Sequence, residues 1–195
     1  MRVIAGKYRG RRLKGPEGLE MRPTGDRLKE SLFSILSPAL SDAVVLDCFS
    51  GTGAIGIEAL SRGARQVVFI ESSAAHCRLI KENLKLCGIT SGAGVMKEDV
   101  FGALRTLGRK GFQADMILFD PPYDFQPYKD LLEIVFSRGL ASPSARVVIE
   151  HRRKAALPEK GQNYNRTRVT RQGDKCLSFY SEYLESDEER SEDSD

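Results

Sequence analysis

Leu46-Asp47-Cys48-Phe49-Ser50-Gly51-Thr52-Gly53-Ala54-Ile55-Gly56 closes an apolar run and opens a helical pattern. Its G-x-G-x-x-G spacing between a strand and a helix is the fingerprint of a βα turn that admits a nucleotide-like cofactor. Outward from this turn, strand and helix patterns alternate. Apolar runs at 44–48, 66–71, 94–97, 115–120 and 146–150 predict strands, and periodic segments at 54–62, 73–86, 100–107 and 128–138 predict the helices between them. That order implies an α/β fold of the Rossmann-like kind, a mostly parallel sheet with helices on both faces. Two more runs, 166–171 and 175–183, joined by Gln172-Gly173-Asp174, predict a terminal antiparallel hairpin and a seven-stranded sheet.

Upstream lies an extension of different character. Residues 1–18 are basic and glycine-punctuated, and the alternation in Val3-Ile4-Ala5 and Tyr8-Arg9-Gly10-Arg11-Arg12-Leu13 predicts a short β-hairpin arm. Thr24 or Asp26 caps a helix to Leu36, with Leu28, Leu32, Phe33, Ile35 and Leu36 on its apolar face. The expected organisation is a basic arm and helix at 1–40, a catalytic domain at 41–184 and an acidic, disordered tail at 185–195.

The charge distribution follows that division. Seven acidic residues and one arginine between Glu185 and Asp195 sum to −6, so the formal +3 of the chain leaves +9 on the rest. A body this basic suits a polyanionic partner, although a basic surface also serves solubility. No apolar run approaches the ~18 residues of a membrane span, and the N-terminus lacks the apolar core of a secretory signal. Cys48, Cys77, Cys87 and Cys176 show no C-x-x-C spacing and no neighbouring histidine cluster. They read as reduced packing residues of a cytoplasmic, metal-free protein. His76 and His151 read as surface or packing residues.

The glycine loop alone suits NAD, FAD or S-adenosylmethionine, and so does Glu71, placed at the end of the second strand to hold ribose hydroxyls. Asp47 separates them. A pyrophosphate beside it would meet a like charge, at a cost of several kcal/mol, roughly, in a partly buried site. The ammonium of S-adenosylmethionine would be attracted instead. Phe49, Gly51, Thr52 and Gly53 form the loop, Ser72 follows Glu71, and Asp99 with the Val100 backbone is placed to hold the adenine.

Asp120-Pro121-Pro122-Tyr123 follows the fourth strand. Asp120 and the Pro121 carbonyl, held by the fixed φ of the prolines, offer two acceptors for the two hydrogens of an exocyclic amine. Tyr123 offers a face on which an unstacked base can lie. An aspartate at its ordinary pKa is too weak to deprotonate such an amine, so the expected role of Asp120 is orientation.

Arg22-Pro23-Thr24-Gly25-Asp26-Arg27-Leu28-Lys29-Glu30-Ser31-Leu32-Phe33, the glycine loop, Glu58-Ala59-Leu60-Ser61-Arg62-Gly63-Ala64 and Asp120-Pro121-Pro122-Tyr123 together resemble the bacterial 16S ribosomal RNA guanine-N2 methyltransferase D family. The resemblance covers residues 1–184. It implies a Rossmann-like S-adenosylmethionine-dependent methyltransferase fold, with Thr24 closing over the methionyl carboxylate. The implied substrate is one guanine of 16S rRNA in the small ribosomal subunit; the enzyme is expected to be a monomer. Gly25 and the acidic tail depart from the pattern. Lys7, Arg9, Arg11, Arg12, Arg22, Arg152 and Arg153 suit phosphate contacts. The competing readings are an adenine-N6 or other amino-group methyltransferase, a non-catalytic RNA-binding chaperone, and an oxidoreductase, the last disfavoured by Asp47.

Overall fold

The computed structural model describes residues 1–15 and 24–183. Arg22 and the tail at 185–195 lie outside them, as does the side chain of Thr24. The strands are β1 (Val44–Cys48), β2 (Gln66–Glu71), β3 (Ala93–Lys97), β4 (Ala114–Phe119), β5 (Ala141–Arg152), β6 (Tyr164–Gln172) and β7 (Lys175–Glu182). The helices are α1 (Thr24–Leu36), α2 (Ala54–Ser61), α3 (Ala74–Cys87), α4 (Val100–Arg109) and α5 (Tyr128–Ser137).

The seven strands form one sheet in the order β3-β2-β1-β4-β5-β7-β6. β1 to β5 run parallel, while β7 pairs antiparallel with both β5 and β6. The chain builds outward from β1 to β3, then returns to start β4 on the other side of β1. This reversal is the topological switch point, where the loops leaving β1 and β4 part and leave a crevice at their carboxyl ends. β5 is longer than its expected 146–150 because Ala141 pairs Ala114 ahead of a register shift in the β4–β5 ladder.

Alternation along the strands distributes two apolar layers. Leu46, Ile117, Val147 and Ile149 face α4 and α5, whereas Val45, Leu118, Val148 and Leu177 face α1 and α2. Fully buried Leu46, Phe69 and Phe33 each stabilise the fold by roughly 1.5–3 kcal/mol relative to exposure. The close seating of α2 depends on Gly56, since a Cβ there would lie 2.3 Å from the Phe69 ring.

The N-terminal arm doubles back as expected, but a single antiparallel bridge, Arg2–Arg12, replaces strands. Val3 donates to the Arg11 carbonyl and Leu13 to that of Met1 across the arm, while other backbone groups are tied to α2. Ile4 and Ala5 donate to the carboxylate of Glu58 (2.8 and 3.0 Å), Lys7 donates to the Ser61 carbonyl and Tyr8 to Ser61 Oγ. Glu58 is fully buried and also pairs Arg62 Nε at 2.8 Å and Lys29 Nζ at 3.6 Å. Gly6 has φ +80° and a Cβ there would strike the Ser61 carbonyl at 1.8 Å, so only glycine lets the arm lie this close to α2.

Removing one member of such a buried network strands the remaining charges. Glu58→Ala is expected to lower unfolding free energy by about 3–5 kcal/mol in urea denaturation and to open residues 1–15 to limited proteolysis.

Candidate active site

Each half of the site begins as a strand whose inward alternation continues past the apolar core. On one sheet face Val45 is followed by Asp47, Leu118 by Asp120, and Val148 by Glu150, while Leu177 is preceded by Lys175. All four polar residues open into one cavity of about 290 Å³ over the carboxyl ends of β1 and β4. Phe49, Gly51 and Thr52 form one wall, and Leu28, Lys29 and Leu32 of α1 roof it with Met1.

The glycine loop is held from beneath. Asp47 is buried, and its Oδ2 accepts from the Gly56 amide at 2.9 Å, satisfying a helix N-terminal donor of α2. Ser50 Oγ donates to the Asp47 carbonyl at 2.6 Å. Phe49 adopts φ +59°, a left-handed conformation a side chain tolerates only under surrounding constraint. That constraint includes Phe125, which meets the Phe49 ring edge-on at 5.3 Å and itself contacts Phe101 and Tyr128. Gly51 has φ +53° and nothing nearer than the Phe49 carbonyl, at 3.9 Å, where a Cβ would stand, which suits backbone approach by a ligand. Gly53 meets a packing demand as well: its φ is +76° and a Cβ would press on Ile80 at 3.2 Å.

Glu71 reaches the loop through hydrogen bonds. Its Oε2 accepts from the Gly51 amide at 2.9 Å and its Oε1 from the Ser73 amide at 2.8 Å. Asp99 caps α4, accepting from the Gly102 amide at 3.0 Å, with buried Val100 beside it. Neither Asp99, Val100 nor exposed Ser72 lines the cavity, so they extend the candidate site along the β2 and β3 edge without closing it.

Asp120 lies at the cavity mouth, and its amide donates to the Cys48 carbonyl at 3.3 Å, which ties the two switch-point loops together. Among the described residues nothing donates to its carboxylate or to the Pro121 carbonyl. Burial, then the charge of Glu150, push its pKa up to about 7, with Lys175 acting in the opposite sense. The expectation of an ordinary aspartate is therefore corrected: although the residue is open to solvent, protein crowds its carboxylate and an acid stands nearby. Tyr123 is 63% exposed, and the Arg152 guanidinium covers one face of its ring at 4.2 Å.

Glu150 and Lys175 were absent from the sequence-based site. They are hydrogen-bonded to each other beside Asp120, yet belong to strands separated in the chain by β6. Asn83 was missed as well. This buried residue donates to the Thr52 and Lys14 carbonyls and accepts from the Lys14 amide, joining arm to loop. Of the residues expected to hold RNA, Lys7, Arg9, Arg11, Arg12, Arg152 and Arg153 are exposed, and none has an acidic partner among the described residues. His151 contacts Ser178 Oγ at 2.9 Å, a packing role.

Burial, followed by Asp120 and Glu71, raises the pKa of Asp47 to about 8 against the opposing Gly56 hydrogen bond. The folded carboxyl thus holds a proton that the unfolded one has released, so this group's stabilisation is full at low pH and falls as pH rises from about 4 to about 8. Asp47→Asn is expected to flatten the decline of Tm across that window in calorimetry.

Three comparisons place the chain among known proteins. The profile of the family described as conserved hypothetical protein 95 matches residues 1–181. The chain is 38% identical to the putative rRNA methyltransferase YlbH of Bacillus subtilis, covering 82% of this chain and 86% of that protein. It is 32% identical to ribosomal RNA small subunit methyltransferase D of Escherichia coli, covering 92% and 89%. A solved structure described as the putative methyltransferase yhhF from Escherichia coli superposes with a TM-score of 0.81 at 32% identity, over 93% of this chain and 97% of that one. With the buried acid, glycine loop and Asp-Pro-Pro-Tyr turn gathered on one crevice, the chain belongs to the conserved hypothetical protein 95 family, alongside the ribosomal RNA small subunit methyltransferase D proteins.

Proposed function

We propose that the protein transfers a methyl group from S-adenosylmethionine to the exocyclic N2 of a guanine in 16S rRNA of the small ribosomal subunit. The observation that carries this reading is the opening of Asp47 and Asp120 into one cavity at the switch point. The similarity to rRNA methyltransferases of Bacillus subtilis and Escherichia coli supports the rRNA substrate. A structural neighbour of the same fold is described as a complex with SAH.

The residues fit the cofactor. Asp47 is a buried acid with no cationic partner among the described residues, and Gly51 presents bare backbone to the cavity. Asp47 would take the ammonium, Glu71 the ribose hydroxyls, and Asp99 with the Val100 amide the adenine. Phe49, Thr52, Gly53 and Ser72 complete the contact, and Thr24 closes over the carboxylate. When bound, S-adenosylmethionine supplies an electrophilic methyl carbon on a sulfonium.

The other half of the chemistry belongs to the Asp-Pro-Pro-Tyr turn. A guanine amine is a poor nucleophile because its lone pair is delocalised into the ring. Asp120 and the Pro121 carbonyl accept its two hydrogens and turn the lone pair out of the plane, with Pro122 stiffening the turn. The proton shed by N2 as it gains a fourth substituent passes to Asp120, whose pKa of about 7 suits a proton acceptor near neutrality. Tyr123 stacks on the extruded base, and Arg152, already over that ring, lies where phosphate or base can draw it away. The remaining exposed cations of the arm, with Arg22 and Arg153, hold the RNA backbone. The setting is the cytoplasm, with the enzyme a monomer.

Incubating small-subunit particles with methyl-labelled S-adenosylmethionine and digesting the RNA should yield N2-methylguanosine; label only in N6-methyladenosine, or none, would overturn the reading. Asp120→Asn should lower kcat by about 10²–10⁴-fold, with the wild-type rate rising with pH through about 7 as Asp120 ionises. In filter binding, Arg11→Glu with Arg12→Glu should flatten the salt dependence of RNA affinity by about one unit of log–log slope for each phosphate no longer neutralised.

A further inference from the structure

Beside the two acceptors of the amine clamp, the cavity holds an ion pair that methyl transfer does not require. Glu150 lies at the end of β5 and Lys175 at the start of β7, and both line the cavity with Asp120. In the β5–β7 ladder Glu150 stands opposite Leu177, so Lys175, two residues before Leu177, is on the same sheet face. The two side chains are hydrogen-bonded through Glu150 Oε1. Glu150 Oε2 has no hydrogen-bond partner among the described residues. Lys175 Nζ retains two further hydrogens beyond the one given to Glu150. Both side chains are largely shielded, at 14% and 26% exposure, so a ligand in the cavity meets them with little competing water.

The order of these groups along the sheet edge carries chemical meaning. β4, β5 and β7 are successive neighbours, presenting in turn an acceptor (Asp120), an acceptor (Glu150) and a donor (Lys175). The Watson–Crick edge of guanine presents the complement in the same order: the N2 amine and the N1–H donate, and O6 accepts. We infer that Glu150 and Lys175 read the base, Glu150 Oε2 accepting from N1–H and Lys175 Nζ donating to O6 while Asp120 holds N2. The inference rests on the guanine-N2 reading above and extends it to the choice of base. Adenine fails at all three positions, since it also lacks the 2-amino group that Asp120 would hold. Its N1 turns a lone pair towards Glu150, and its N6 amine turns hydrogens towards Lys175. A site built to hydrogen-bond one polar edge rejects an analogue that leaves its shielded groups unpaired.

The discriminating substrate is 2,6-diaminopurine, which keeps the 2-amino nucleophile but carries an acceptor at N1 and a donor at position 6. After the methylated position is mapped with wild-type protein, small-subunit particles are assembled with either guanine or 2,6-diaminopurine there. The wild type should favour guanine by about 100-fold in kcat/KM. Glu150→Gln and Lys175→Met should each lower the guanine value by about 10–100-fold and reduce the preference below about 10-fold. S-adenosylhomocysteine affinity, measured by calorimetry, should stay within a few-fold. The exchange E150K with K175E preserves the ion pair but reverses the pattern, and should lose the guanine rate as the single variants do. Equal wild-type rates on the two bases, an unchanged preference in the single variants, or a guanine rate restored by the exchange would each overturn the assignment. Wild-type protein that forms no N2-methylguanosine would instead overturn the functional reading on which it rests.

Discussion

The parallel pairing of β1 with β4 is the constraint on which the site depends. Cys48 stands against Phe119 in that ladder, so the residues that leave the two strands emerge side by side although seventy positions separate them. The Asp120 amide closes on the Cys48 carbonyl immediately beyond the last pair. Without that register the glycine loop and the Asp-Pro-Pro-Tyr turn would be two unrelated loops. With it, a cofactor half and an amine half share one crevice. Burial of Asp47, and the crowding of the Asp120 carboxylate by protein and by Glu150, push both well above ordinary aspartate values.

The arm and α1 complete that crevice from above, and the physical reason lies in buried polar groups away from the chemistry. Glu58 gathers two backbone amides of the arm with Lys29 and Arg62, and Asn83 joins Lys14 to Thr52 of the cofactor loop. Each is satisfied by the arm, which leaves them costly to expose if the arm departs. The basic arm is thereby coupled to the roof of the cavity through packed, hydrogen-bonded neighbours.

Much of the fold was legible because the signals were local. The bounds of β1 and β2 follow from short apolar runs with an acid at or beside the last residue, and the helices from their periodic faces. The arm was less legible. Alternation in Val3-Ile4-Ala5 suggested strands, but an isolated ribbon of strands would have left Glu58 buried without the backbone donors that it takes from Ile4 and Ala5. Within the site, Asp47, the glycines and Asp120 announced themselves by motif. Glu150 and Lys175 did not, since an acid at a strand end and a lysine at a hairpin start are ordinary in any sequence.

Taken by itself, the sequence determined the alternation of strands and helices, the cofactor loop and the amine-gripping turn, because each is encoded by neighbouring residues whose backbone geometry is set locally. Tertiary structure alone decided which polar groups share a cavity, that burial and Glu150 change what Asp120 can do, and that an acid and a lysine from separate strands meet beside it. Those properties depend on strand order, ladder register and the exclusion of water, which exist only once distant segments have packed.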